Sequence, residues 1–368
     1  MESKPITSRN VAMAFTGSLL GAGFVSGQEL MQFFGVFGRF GIMGMVFSIM
    51  MFFVLGCLVM KIATKTGITS FDKIIVRKEI PWLRAFFGSV FVFFLFGIVV
   101  IMIAGTGALL HQMFGLPPIM GKVFMALVLG VVAMWEVRGV LTAFGITVPL
   151  LILVAVVTGI LSFFLLDATT ITSQPSAGVN PLLGNWVIST VAFVSYNMMA
   201  AISILVPIAK DITEETTIHK GMLQGAGQLA LIFLCILLPL ILHHDVLASQ
   251  DLPMLSLATL LHPVLGLVYA ALLFCGMFGS ALSCLFGVSY RIKQAKRVKT
   301  QRLIPLLVII AFLGSIVGFK ELISILLPLC GYVGFFAMIG IVLHYSALPQ
   351  SNRVDGKSID VEQVKLPL

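Results

Sequence analysis

The chain has 368 residues, a mean hydropathy of +1.10, 59% hydrophobic residues and only 10% charged ones. A soluble protein carries about 25% charge, so this composition excludes an ordinary soluble domain and points to an integral membrane protein. The net charge of +8 is not a nucleic-acid signal, because the basic residues sit in short loops between apolar runs.

Ten membrane spans are predicted, at 10–34, 39–61, 85–110, 119–135, 140–166, 185–208, 221–243, 262–290, 303–319 and 321–343. The opening residues run straight into the first span, so no cleavable leader is expected. The last two spans are parted only by Phe319-Lys320-Glu321, where a tight turn is expected. With the N-terminus inside, twenty of the 23 lysines and arginines fall on internal segments. Only Arg39, Lys122 and Lys320 fall outside, an asymmetry that supports an even number of spans and internal termini.

Span 1 carries Gly17-Ser18-Leu19-Leu20-Gly21-Ala22-Gly23, followed by Phe24 and Ser26-Gly27-Gln28-Glu29. So many glycines and small polar residues disfavour one continuous helix. They suit a helix that stops at mid-membrane and restarts, leaving free peptide groups that can grip a solute. The amides near Gly21, Ala22 and Gly23 suit a carboxylate, and opposed carbonyls suit an ammonium or a sodium ion. The alternative is that these glycines serve close helix packing. Glu29 lies about two turns beyond the break; it can carry a proton, bias cation entry or form a gate, or simply sit near the outer headgroups.

Residues 64–84 are basic and partly amphipathic, as expected of a short helix lying on the inner headgroups. Glu136 and Asp167, at span ends, are expected at the interface. Residues 167–184 and 244–261 are external, and the latter can fold a short lid helix over Met254 to Leu260. The run 291–302 reads as a solvated inner loop.

The spans divide as five plus five: 1–166 as a first repeat, an external loop at 167–184, 185–345 as a second repeat of opposite orientation, and a disordered tail at 346–368. This inverted arrangement predicts a second break, in span 6, and Ser195-Tyr196-Asn197-Met198-Met199 is the candidate. A break in lipid is tolerated only where the freed backbone is buried in protein or lines a watery cavity. Gln224 and Gln228, at i,i+4 in span 7, are either interhelical glue or lining of a pathway. Ser280 and Ser283 share a face of span 8, where they either complete a cation site or bond their own backbone. The five cysteines, odd in number and without metal spacing, read as small buried hydrophobes.

Gly21-Ala22-Gly23-Phe24-Val25-Ser26-Gly27-Gln28-Glu29, with Phe33-Phe34, resembles a bacterial family of uncharacterised membrane proteins in the amino acid–polyamine–organocation superfamily. The resemblance runs to about residue 345 and implies the five-plus-five inverted fold of the bacterial leucine transporter. It implies that carbonyls of Gly17 and Leu20 ligate sodium with hydroxyls of Ser283 and Ser280. It also implies that amides near Ala22 and Gly23 hold a substrate carboxylate. The two serines are three apart here, whereas the sodium-coupled transporters place two hydroxyl residues side by side. Proton-coupled relatives can use a lysine in span 5, and none is present, which leaves sodium or a proton on Glu29.

The expected fold is thus all-α, and the expected function is secondary transport of a small hydrophobic amino acid, coupled to Na+ or H+, in the inner membrane of a bacterium. Other solutes on the same fold are the alternative: a nucleobase, an osmolyte or a metal ion. A metal carrier would need an acidic residue in the span 1 break, which is missing, although Met198 and Met199 offer soft ligands in span 6. A non-transporting membrane sensor is a further alternative. No cofactor is expected, no catalytic cluster suggests an enzyme, and no phosphate-binding loop suggests ATP-driven transport.

Overall fold

A computed structural model describes residues 6–68, 71–75, 80–134, 138–166, 179–209, 212, 214–295 and 300–347. Glu136, Asp167, most of the 167–184 loop, part of the 291–302 run and the tail beyond 347 lie outside these residues.

The described chain is all-helical. In order it forms α1 (Ser8–Leu19), α2 (Ala22–Val25), α3 (Gln28–Phe33), a 3-10 turn (Gly35–Phe37), α4 (Arg39–Thr66), α5 (Phe71–Ile75), α6 (Pro81–Phe114) and α7 (Pro118–Met134). It continues with α8 (Arg138–Leu165), α9 (Trp186–Ala209), α10 (Glu215–Leu242), α11 (His244–Leu247), α12 (Pro253–Leu261), α13 (Pro263–Ala295), α14 (Thr300–Ser315) and α15 (Phe319–Ser346). Among the described residues seven helices are long and apolar enough to cross a membrane, on α4, α6, α8, α9, α10, α13 and α15. Two shorter apolar helices, Pro118–Met134 and Arg302–Ser315, and the interrupted α1–α3 segment complete the apolar set. This is a multi-pass membrane protein.

The expected turn near residue 320 lies slightly earlier. Gly318, at φ 119°, turns the chain, and α15 already begins at Phe319. Lys320 and Glu321 therefore sit on the first turn of α15 rather than in a loop. The lid helix expected at 254–260 is α12, which begins with Pro253 at its first turn and buries Met254, Leu255, Leu257 and Ala258. Of the 64–84 segment, α5 is short, and its Ile74 carbonyl accepts from His344 Nδ1 of α15 at 2.8 Å.

The predicted break in span 6 is absent: α9 is one continuous helix from Trp186 to Ala209. Its polar residues need no interruption, because they bond within the helix. Ser195 Oγ donates to the carbonyl of Val191 at 2.6 Å and Asn197 Nδ2 to that of Phe193 at 2.9 Å. Each polar group is thereby satisfied one turn back. The same face packs tightly on α15. A Cβ at Gly334 would lie 2.8 Å from the Ser195 carbonyl oxygen, and one at Gly331 would lie 2.6 Å from that of Ala192. Gly334→Val should therefore force the two helices apart and cost on the order of 1–3 kcal/mol. A lowered melting temperature of the detergent-solubilised protein checks this; an unchanged one would contradict the close approach.

Candidate functional site

Span 1 is interrupted twice. The first interruption follows α1: Leu20 (φ −92°, ψ 81°) and Gly21 (φ −87°, ψ 170°) are not helical, and α2 starts at Ala22. The second is Ser26–Gly27, where Gly27 adopts φ 84° and caps α3. That left-handed backbone favours glycine, and a Cβ there would also strike Met254 at 2.8 Å. Ser26 steadies the joint, donating from Oγ to the Gly23 carbonyl at 2.6 Å and accepting from the Gln28 amide at 3.3 Å. The sequence reading placed Gly27 inside the motif and missed this second joint.

At the first interruption the helix end leaves peptide groups free. No backbone hydrogen bond outside the helices is accepted by the carbonyls of Gly17, Ser18 or Leu20. Gly17 and Gly21 are exposed, and nothing lies within 4 Å of where their Cβ atoms would be. Met13, Gly17 and Gly21, each one turn apart, make an open stripe along α1. The stripe stops at the interruption, because Ala22, Gly23, Phe24 and Val25 are all buried. The exposed strip thus runs from the start of the chain, here the near face, and ends at the break.

Toward the far face it is closed. The α12 amide of Met254 donates to the Ser26 carbonyl at 3.1 Å. Tyr269 of α13 donates to the Val25 carbonyl at 2.6 Å, and Ser189 of α9 to that of Phe33 at 2.6 Å. Gln112 of α6 ties down the start of α12 through the Leu252 carbonyl (3.1 Å) and Ser256 Oγ (2.7 Å). Burial, helped by nearby Glu321, raises the Asp251 carboxyl in this loop above its usual range.

α13 descends beside the interruption. Tyr269 reaches Val25, and Gly276 lies against Ala22, 3.4 Å from a Cβ built at 276. Ser280 and Ser283 continue the same face one and two turns further along α13. Ser280 is half-buried and Ser283 exposed, and neither hydroxyl bonds its own backbone.

Glu29 folds back over the short helix α2. Its Oε2 accepts from Tyr196 Oη at 2.7 Å, and a Cβ at Gly23 would collide with Oε1. Tyr196 is buried, with its ring 5.5 Å from Phe33, 5.6 Å from Phe193 and 6.4 Å from Phe94. This partly buried carboxylate thus links α3 to α9, instead of facing the headgroups, and joins two residues that the sequence reading assigned to different roles.

The large apolar side chains of spans 1, 6 and 8 around the interruption are packed. Phe24 is buried against Phe233 of α10 at 4.7 Å. Met198 and Met199 are buried. Phe278 stacks on Phe274, which meets Phe124 of α7, so it points away from the Gly276–Ser280 face. Gln228 accepts from Thr16 Oγ1 at 3.0 Å, which makes it glue between α1 and α10, while Gln224 is exposed. Among the described residues no three His, Cys, Asp or Glu side chains cluster as a metal site would require.

Two Bacillus subtilis (strain 168) proteins are similar along nearly the whole chain. The uncharacterized membrane protein YkvI is 29% identical over 346 residues, 93% of this chain and 97% of that protein. The uncharacterized protein YyaD is 26% identical over 333 residues, 89% and 94% of the two. No family model matches the chain. In three dimensions it is similar to the Eremococcus coleocola manganese transporter, in a crystal structure with an aromatic bis-isothiourea substituted compound. The TM-score is 0.55 at 14% identity, with 92% of this chain and 85% of that one covered. A mutant of that transporter matches with a TM-score of 0.53 at 12% identity, covering 92% and 76%. The chain therefore has the fold of a known transporter rather than that of an enzyme.

Proposed function

We propose that this protein is a secondary active transporter that binds a small solute at the Leu20–Gly21 interruption and moves it by alternating access. The observation that carries this reading is the open stripe of Gly17 and Gly21, which reaches the interruption from one face only, while hydrogen bonds to α9, α12 and α13 seal the other. A carrier needs this asymmetry and must be able to invert it. The ten apolar segments fit a five-plus-five inverted repeat with both termini cytoplasmic, placed in the inner membrane of a bacterium. In that orientation the near face is the cytoplasm and the conformation faces inward.

The solute proposed is a small hydrophobic amino acid. Free carbonyls at the end of α1 suit its ammonium group, and amides at Ala22 and Gly23 suit its carboxylate. Tyr196 and the residues beside it, Ser195, Asn197 and Met198, contribute from an unbroken helix. Na+ is proposed at the carbonyls of Gly17 and Leu20 with the hydroxyls of Ser280 and Ser283, and a proton at Glu29. A second reading, transport of a divalent metal, is favoured by the likeness to a manganese transporter. On this chain it would rely on the same carbonyls and on the Met198 and Met199 sulfurs.

Purified protein in liposomes, given radiolabelled amino acids or Mn2+ under an imposed Na+ or pH gradient, decides between the readings. Gradient-driven amino-acid uptake supports the first and Mn2+ uptake the second. Uptake of neither overturns both. If Na+ drives transport, Ser283→Ala should raise the sodium concentration for half-maximal uptake about 5–50-fold, the effect of losing one hydrogen-bonding ligand to a charge.

A further inference from the structure

α4 and α10 pack side by side, and toward the near face their seam holds a thiol and an imidazole. Cys57 Sγ of α4 lies 3.9 Å from His219 Nδ1 of α10. Cys57 is 6% exposed, while His219, in the second turn of its helix, is exposed. At this distance the two groups make no more than a weak hydrogen bond. The spacing suits a bridging metal ion better. Bonds as long as those of zinc, about 2.3 Å to sulfur and about 2.0 Å to nitrogen, would set the two atoms about 3.5 Å apart at a tetrahedral angle and about 4.3 Å apart in a straight line. The observed separation falls between these limits, so an ion fits with little movement of either helix.

The surroundings select the kind of ion. A thiolate favours soft metals, and imidazole accepts them. One turn nearer the near face, Glu215 of α10 lies 3.7 Å from Lys61 Nζ and 3.4 Å from Lys65 Nζ of α4. Two ammonium groups against one carboxylate disfavour a dication, whereas a monovalent ion on a thiolate adds no net charge. The Phe53 ring, 6.5 Å from that of His219, keeps one side of the pair apolar. A soft monovalent ion such as Cu(I) takes two ligands readily, so it needs no larger cluster of ligating side chains. We propose that Cys57 and His219 form a two-coordinate site for an ion of the Cu(I) kind, which staples α4 to α10. As the ion binds, the thiol proton passes to water and a sulfur–metal bond replaces the sulfur–hydrogen bond. The pair belongs to the α4–α10 seam and not to the Leu20–Gly21 interruption, so the inference is independent of what the protein carries.

Titration of the purified full-length protein tests the site, with Ag+ as a redox-inert probe and with Cu(I) kept reduced by ascorbate and competed by a chromogenic Cu(I) chelator. Wild type should bind one equivalent more tightly than either Cys57→Ser or His219→Ala does, and each substitution should weaken that equivalent more than about 100-fold, since a lost ligand costs more than a lost supporting contact. The other four cysteines are the same in all three proteins and supply a common background. X-ray absorption at the copper edge, with one equivalent loaded, should show one sulfur and one nitrogen neighbour. His219 is exposed, so His219→Ala should fold as wild type does, and it carries the test if Cys57→Ser does not fold. Equal affinity in wild type and His219→Ala would mean a thiol acting alone and would overturn the proposal. Two sulfur neighbours at the copper, or no tight equivalent in wild type, would overturn it as well.

Discussion

Glu29→Gln should abolish the dependence of uptake on an inward proton gradient while leaving the protein folded. Glutamine keeps the length of the side chain and can still accept from Tyr196, so the link between α3 and α9 survives in neutral form. What it cannot do is gain and lose a proton. In the wild type, a carboxylate held by the Tyr196 hydroxyl at 2.7 Å bridges α3 and α9, which on the transport reading part when the far side opens. Protonation weakens that bridge, since a hydrogen bond to a charged group contributes about 1.5–3 kcal/mol and a neutral one about 1. Protonation thereby favours the parted state. The direction follows: uptake by the wild type rises as the far side is acidified, and uptake by Glu29→Gln is flat with pH. Tyr196→Phe removes the donor but leaves the acid, so it should retain pH dependence with altered affinity. A Glu29→Gln protein whose uptake still follows the pH gradient would exclude Glu29 as the proton carrier.

Two glycines, two residues apart, should give opposite results when changed to alanine. Gly23→Ala places a methyl group where Glu29 Oε1 now lies and 3.3 Å from Glu29 Cδ. The carboxylate must swing away and lose Tyr196, at a cost of about 1.5–3 kcal/mol, so uptake should fall on the order of 10–100-fold. Gly21→Ala meets nothing within 4 Å, and its backbone angles suit any residue. Stability should be unchanged. Gly21→Phe should fold as well, but its ring would occupy the open stripe and stop transport. Melting temperature and liposome uptake, measured on all three, separate damage to the bundle from obstruction of the path. Equal loss of stability at positions 21 and 23 would remove the basis for an open approach to the interruption.

The helical segments were legible because lipid imposes a simple rule: about 20 apolar residues per crossing, ended by charge. Nine of the ten predicted spans overlap a single helix and span 1 overlaps the interrupted α1–α3, though α14 starts a few residues earlier than expected and α15 at Phe319. The first interruption was legible because Gly21 and its neighbours are poor helix formers whatever surrounds them. Span 6 misled for the converse reason: Ser195 and Asn197 are costly in lipid only if unsatisfied, and their bonds to the preceding turn settle that locally. Pattern alone cannot distinguish an internally bonded polar residue from one that opens the helix. The meeting of Glu29 with Tyr196, 167 positions apart, is tertiary and left no mark in the spacing.

The two joints of span 1 set how motion can pass through it. The four-residue α2 hangs between Leu20–Gly21 and the left-handed Gly27, and is fastened by its far end to α12 and α13. α1 is held instead by α9 and α10, so the two sides of the interruption are anchored to different neighbours, like a short link between two separately fixed rods. On the transport reading the two gates are then mechanically separable, and a binder that clamps α12 on the far face would freeze one of them and leave the other able to rock.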